Sequence, residues 1–429
     1  MEATSPLIRK RRRKAARLEC SLRRDSDATL TWVTELYPQL AEWQMLAVEW
    51  LRGEPSGLPQ RLQALSYFFE RYLVGQSLPL DPTVFLLRTT CLPDFRSAVP
   101  NSPWGISANN VVRGFLQFVL MRNFSEIGEG NMPVVTAGYH NPILHLSKKG
   151  MPKRDESVHS PLPYGYIDQL RQMLAAGPHF CDWQWAQSAL GSKIGHFGAG
   201  APDWFDISED RIDHEDPDCV WRVRKYSRGY RNGQALQMWS PVRWVALLVK
   251  LILPLRTSQV RVLDSGEADT WRYTAGHWGL NRGEISEGSE SRPLQQGVFR
   301  RTVDRTGDES TVLYINTNKT ADISKTRAGK GYLLPWVHGG AVHQNVFYWL
   351  EKLRNWQEKY NPILRRTSWA ELDRRHIMVK TEIQLADCPD ACFLFRLPEY
   401  PTARMRNFPL QDQALNTCWF HLQKPLNRV

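Results

Sequence analysis

The chain has 429 residues, enough for two or three domains, and its 42% hydrophobic content supports buried cores. A formal charge of +11 points to a polyanionic partner. No apolar run reaches the roughly 20 residues of a membrane span. None follows the basic N-terminus as in a secretory leader, and seven scattered cysteines fit a reducing cytoplasm.

Residues 9–17 read RKRRRKAAR. The segment 1–26 is expected to be a basic arm in which Arg11, Arg12 and Arg13 track phosphates, or else a solvated tail. Residues 27–129 read as a helical domain. Leu62, Leu65, Phe69, Tyr72 and Leu73 recur at helical spacing. Asp81-Pro82 supplies an N-cap and first helical residue. Ser107 is expected to cap a further helix whose face carries Val111, Phe115, Phe118, Val119 and Arg122. These aromatic stripes read as core.

Residues 130–163 hold five prolines and three glycines and read as a linker. Lys148, Lys149, Lys153 and Arg154 within it are candidate phosphate contacts or hinge solubilisers. Tyr164 opens a second domain, 164–429, with a helix to Ala175. The segment 177–233 is locally acidic, with eight carboxylates between Asp203 and Asp218. Its spacing follows no metal-loop pattern, and it reads as a surface insertion.

Residues 245–255 are apolar except for Lys250. Ser240 and Pro241 suit a helix start there, and Pro254 ends the helix. Arg256 follows directly, then Thr257, Ser258 and Gln259. An arginine against an apolar element needs an anionic partner. That partner is either an internal carboxylate (Asp264, Glu267 or Asp269) or a ligand. Beyond it, 298–303, 311–316 and 332–336 have strand composition. The turn between the last two carries Lys319, Lys325 and Lys330. Residues 343–359 and 408–427 read as helices. Cys388 and Cys392 have no further ligands at a recognisable metal-site spacing, and no cofactor motif stands out.

The run PLRTSQVRVLD, residues 254–264, resembles the first motif box of the tyrosine site-specific recombinases, or phage integrases. The resemblance implies a mostly α fold with a small antiparallel β-sheet in the second domain: a helical core-binding domain, then a tyrosine-recombinase catalytic domain. It implies that Arg256 grips a scissile phosphate. It further implies that a hairpin lysine, Lys319 best, protonates the leaving 5′ oxygen. The partners implied are double-stranded DNA and further copies of the chain, four in the family, with no cofactor, no metal and no membrane. Location would be cytoplasmic, at the bacterial nucleoid.

The sequence departs from that family at two places. Gln259 stands where the family carries Glu or Asp, so it can orient by hydrogen bonding but adds no charge. No His-x-x-Arg follows Lys319, and the last tyrosine is Tyr400. His421 and Lys424 are the nearest imitation, with lysine lacking the bidentate fork. The chain is therefore expected to lack the second half of the active site, as a truncated product, a partial record or half of a split enzyme. The competing readings are a non-catalytic DNA-binding regulator of a mobile element and an unrelated basic enzyme. The latter lacks a Gly-rich phosphate loop or a Ser-His-Asp arrangement.

Overall fold

The computed structural model describes residues 27–54, 56–128, 132–147, 162–190, 202–226, 233–303, 305–322, 325–337, 339–373, 375–377 and 380–423. The chain forms two compact units. The first holds the N-terminal part to Val158 together with Met378–Ala386; the second holds His159–Ile377 and Asp387–Val429. It is mostly α, with small antiparallel sheets, as the sequence led us to expect.

The first unit is built from α1 (Thr31–Leu36), α2 (Ala41–Gly53), α3 (Leu58–Ser66), α4 (Pro82–Leu86) and α5 (Pro103–Asn123). A short hairpin follows, with β1 (Ser125–Ile127) and β2 (Pro133–Val135). α3 runs on as a wider-wound segment, Tyr67–Val74, which buries Phe68, Phe69, Tyr72 and Leu73 together. Asp81 caps α4 as expected, accepting the Thr83 N–H at 2.7 Å. Ser107 does not cap α5. Ser102 does, accepting from Gly105, with Pro103 as first helical residue. Ser107 lies one turn inside and bonds back to the Pro103 carbonyl.

Trp43 is fully buried at the centre of this unit. Its ring meets Phe68 at 5.4 Å and Phe85 at 5.5 Å, both edge-on.

The stretch expected to be a linker from residue 130 behaves differently over its first half. Arg88 donates to the Gly138 carbonyl and His140 to that of Leu86. The Asn109 amide reaches the Leu144 carbonyl, and Asn110 both donates to Leu146 O and accepts its N–H. A proline-interrupted strand cannot satisfy its own backbone, and asparagines on the flank of α5 do it instead. Lys148, Lys149, Lys153 and Arg154 lie outside the described residues, as do Arg11, Arg12 and Arg13.

The second unit opens with α6 (Tyr164–Leu174) and α7 (Gln184–Ala189). β3 (Trp204–Asp206), β4 (Trp221–Tyr226) and β5 (Gly233–Trp239) form a sheet ordered β3-β5-β4. The described parts of 177–233 are thus built into this unit rather than forming a surface insertion. It puts Phe180 and Trp183 into the core. Several of its carboxylates are used internally. Asp203 accepts the indole N–H groups of Trp239 and Trp244, at 3.1 and 3.0 Å. Asp213 and Asp216 hold Lys359, and Asp218 pairs with Lys352.

α8 (Val242–Ile252) runs through the middle of this core. Val242, Trp244, Val245, Ala246, Leu248 and Val249 are all fully buried, so the helix is apolar on nearly every side. It starts after Pro241, and Ser240 makes no capping bond. After α9 (Thr257–Arg261) come two hairpins, β6 (Trp271–Thr274) with β7 (His277–Leu280) and β8 (Gly288–Ser289) with β9 (Arg292–Pro293). β10 (Phe299–Val303), β11 (Glu309–Ile315) and β12 (Tyr332–Leu334) form the second three-stranded sheet. α10 (Val346–Tyr360) packs on α8. α11 (Glu382–Ala386) belongs to the first unit, where Gln384 donates to the Glu54 carbonyl. α12 (Ala403–Arg406) and α13 (Asp412–Gln423) complete the second.

Replacing Trp43 by Ala empties a site that its neighbours cannot refill. We expect a loss of about 3–5 kcal/mol in unfolding free energy, read by urea titration of the full chain.

Candidate functional site

The end of α8 sets the position of Arg256. Arg171 on α6 donates from Nε to the Leu251 carbonyl at 2.9 Å, capping the helix C-terminus. Pro254 bars continuation. Lys250, the one charge in the apolar run, turns its ammonium to the Thr257 hydroxyl just beyond. Arg256 then stands in an extended conformation (φ −68°, ψ 150°) as the residue before α9.

Its side chain is exposed and makes no ion pair among the described residues. The three carboxylates considered as internal partners are engaged elsewhere. Asp264 accepts the N–H groups of Gly266 and Cys392, and Asp269 those of Gln296 and Gly297. Glu267 forms a two-pronged ion pair with Arg396, the latter fully buried. Of the two possibilities raised by the sequence, the internal salt bridge is the one the geometry does not realise.

Gln259 organises the turn. Its carboxamide oxygen accepts the Arg256 N–H at 3.0 Å, closing the first turn of α9. Its amide donates to the Thr317 carbonyl at 3.0 Å, in the segment that leaves β11. Asn316 adds a bond from its own amide to the Val262 carbonyl at the end of α9. The backbone two residues before Lys319 is thereby fastened to the turn that carries Arg256. Glutamate at 259 could make the first bond but has no proton for the second.

Lys319 opens a short 3₁₀ turn, Lys319–Asp322; its side chain lies outside the described residues. Asp322 closes the loop by accepting the N–H groups of Asn318 and Gly331. Gly331 has φ +83°, and a Cβ there would sit 2.2 Å from the Ile315 carbonyl, so only glycine fits. The other two lysines are occupied. Lys330 donates to the carbonyls of Asp322 and Lys325, and Lys325 faces the Asp322 carboxylate at 3.8 Å. Asn316 and Asp322 were not picked out from the sequence. An asparagine ending a strand and an aspartate three residues past a lysine are ordinary turn signals, and only the fold gives them partners.

Further along, Tyr400 is packed beside His376, and burial pushes its phenol up to about 12. Burial also lowers the His376 imidazole from its usual value. Arg261 donates to the main-chain carbonyls of His376 and Leu410, tying this region to α9. Lys424 lies outside the described residues, so the His421 and Lys424 pair stays untraced. No helix among the described residues is long and apolar enough to cross a membrane. No cluster of His, Cys, Asp and Glu among them has the form of a metal site.

A helical unit is thus followed by an α/β unit with an unpaired arginine beside a lysine-bearing hairpin, an arrangement suited to a phosphate. The chain belongs to the integrase family described as "Putative integrase", whose model matches residues 38–370. No curated protein and no solved structure matches it. The family implies DNA integration or recombination as the process and DNA as the partner.

Two predictions come from this geometry. In Gln259→Ala, the amides of residues 317–322 should lose protection from hydrogen exchange, by about 1–3 kcal/mol of local stability for the two lost bonds. Burial, then the charge of Asp269, pushes the Asp264 carboxyl up to about 7. The folded chain therefore keeps this proton where the unfolded chain has released it near pH 4. Its contribution is complete below pH 4 and is lost as pH rises through 7. The stability difference between the natural chain and Asp264→Ala should shrink over that interval, read by denaturant titration at each pH.

Proposed function

We propose that the chain is an integrase of the tyrosine-recombinase type that engages duplex DNA through Arg256 and Lys319. The observation that carries this reading is the pairing of an exposed, uncompensated Arg256 with a hairpin fastened to the same turn by Gln259. Charge builds on the phosphorus oxygens as a nucleophile attacks a phosphodiester. A guanidinium held in advance against those oxygens is worth about 3–4 kcal/mol. Arg256 fills that role. Lys319 donates a proton to the departing 5′ oxygen, a contribution of about 10²–10⁴-fold.

In the complete reaction a tyrosine hydroxyl attacks the phosphorus, its proton is removed and the P–O5′ bond breaks. A 3′-phosphotyrosine and a free 5′ hydroxyl remain. The bond energy stays in the covalent link, and attack by another 5′ hydroxyl reseals the strand without ATP.

Within this chain that chemistry has its first arginine and its acid. Among the residues after Lys319 there is no His-x-x-Arg. Tyr400 is half-buried beside His376, and burial raises its phenol further from the phenolate that attacks. The basic arm around Arg11, Arg12 and Arg13 and the cluster Lys148, Lys149, Lys153 and Arg154 supply additional phosphate contacts. Several copies assemble on the DNA. The second reading, a DNA-binding relative without strand cleavage, draws support from the lack of a His-x-x-Arg after Lys319.

Arg256→Gln should weaken binding to a labelled duplex and reduce the slope of log affinity against log salt by about one unit. An unchanged slope would overturn the assignment of Arg256. On suicide substrates that trap covalent intermediates, the chain by itself should give no protein–DNA adduct. An adduct lost in Tyr400→Phe would show that Tyr400 is the nucleophile.

A further inference from the structure

The second unit contains a cleft of about 1110 Å³ that the reading above does not use. β3 and β5, the end of α10 and residues 398–407 form its walls. Six of its lining residues are basic, against two acids, Asp206 and Glu399. Glu399 is neutralised from within by Arg243. Lys359 is matched by Asp213 and Asp216, and Arg365 by Glu371 at 2.7 Å.

Arg211 and Arg406 are different. Arg211 donates to the Tyr360 carbonyl at 2.7 Å, and Arg406 donates from Nε to the Tyr400 carbonyl at 3.0 Å. Both are exposed, and neither has a carboxylate partner among the described residues. A carbonyl fixes the direction of a guanidinium but cancels none of its charge, so two forks are held in place and left positive. Arg404, two-thirds exposed, shares Glu371 with Arg365 at 3.7 Å, so one carboxylate faces two guanidinium groups there.

We propose that this cleft is a second nucleic-acid site, holding a phosphodiester backbone through Arg211, Arg404 and Arg406. Its volume exceeds what a single small ligand needs. Two of the aromatic walls offer little face for base stacking: Tyr360 is buried, and Arg222 covers the Trp204 ring at 3.9 Å; Phe205 and Tyr400 are half-buried. Contact is therefore with phosphates and carries no sequence preference. The cleft and Arg256 lie at opposite ends of α8. Arg243, in the first turn of α8, bonds to Pro202 and Glu399 beside the cleft, and Arg256 follows the last turn. Eleven residues of helix separate them by about 16 Å. The inference does not depend on the role of Arg256.

The test uses the full chain, a labelled mixed-sequence duplex and its single strand, with affinity measured by anisotropy over a range of KCl. Arg211→Gln with Arg406→Gln should lower affinity at least tenfold at low salt and cut the salt slope by about two units. Lys at both positions should restore most of the slope, separating charge from folding. A photo-crosslinking residue in place of Leu364, which is 86% exposed on the cleft rim, should label the nucleic acid in the natural background and in Arg256→Gln. An unchanged slope in the folded double variant would overturn the proposal. So would displacement of the DNA by polyglutamate at equal charge, which would assign the cleft to an acidic protein.

Discussion

The two ends of one carboxamide hold the candidate site together. Gln259 receives the Arg256 N–H at one end and gives a proton to the Thr317 carbonyl at the other. The side chain is almost wholly buried, so both bonds form away from competing water. Everything on the exposed side follows from that fixed point: the start of α9, the exit of β11 and the loop that Asp322 closes. An acidic residue at 259 would bring charge to the turn but would set an oxygen against an oxygen at Thr317. Glutamine exchanges that charge for a mechanical link between helix and hairpin.

Charge in this protein is sorted by depth. Asp203, Asp213, Asp216 and Asp218 are turned onto indoles, the lysines of α10 and backbone amides. Those of 264–269 cap backbone amides and bind Arg396. Among the described residues, Arg211 and Arg406 are exposed guanidinium groups held by main-chain carbonyls, and Arg256 is exposed without an ion pair.

Much of this was legible in the sequence. The apolar run of α8, the strand composition of β10 to β12 and the Asp81-Pro82 helix start rest on local patterns, and the chain follows them. Arg256 stood out because a charge directly after a buried helix demands a partner. What escaped was non-local. The β3-β5-β4 sheet was hidden because its acids looked like surface until tryptophans and lysines distant in sequence supplied partners. The proline-rich stretch after residue 130 looked like a tether because its hydrogen bonds come from Asn109 and Asn110. Ser102 and Ser107 both precede helical residues; Pro103 decides between them. The hairpin lysines could not be ranked from sequence, since Lys330 and Lys325 are engaged by Asp322 and its neighbours only in three dimensions.

The return of Met378–Ala386 to the first unit has a consequence for biosynthesis. Elongation passes the end of that unit's main body at Val158 and makes 228 more residues before Ala386 exists. At about 5–20 residues per second, that interval is about 11–46 s. Throughout it the nascent N-terminal half lacks the segment whose Gln384 anchors to Glu54. The order of translation therefore makes most of the second unit before this last segment can reach the first, whose core, Leu30 to Ile143, is already complete in sequence.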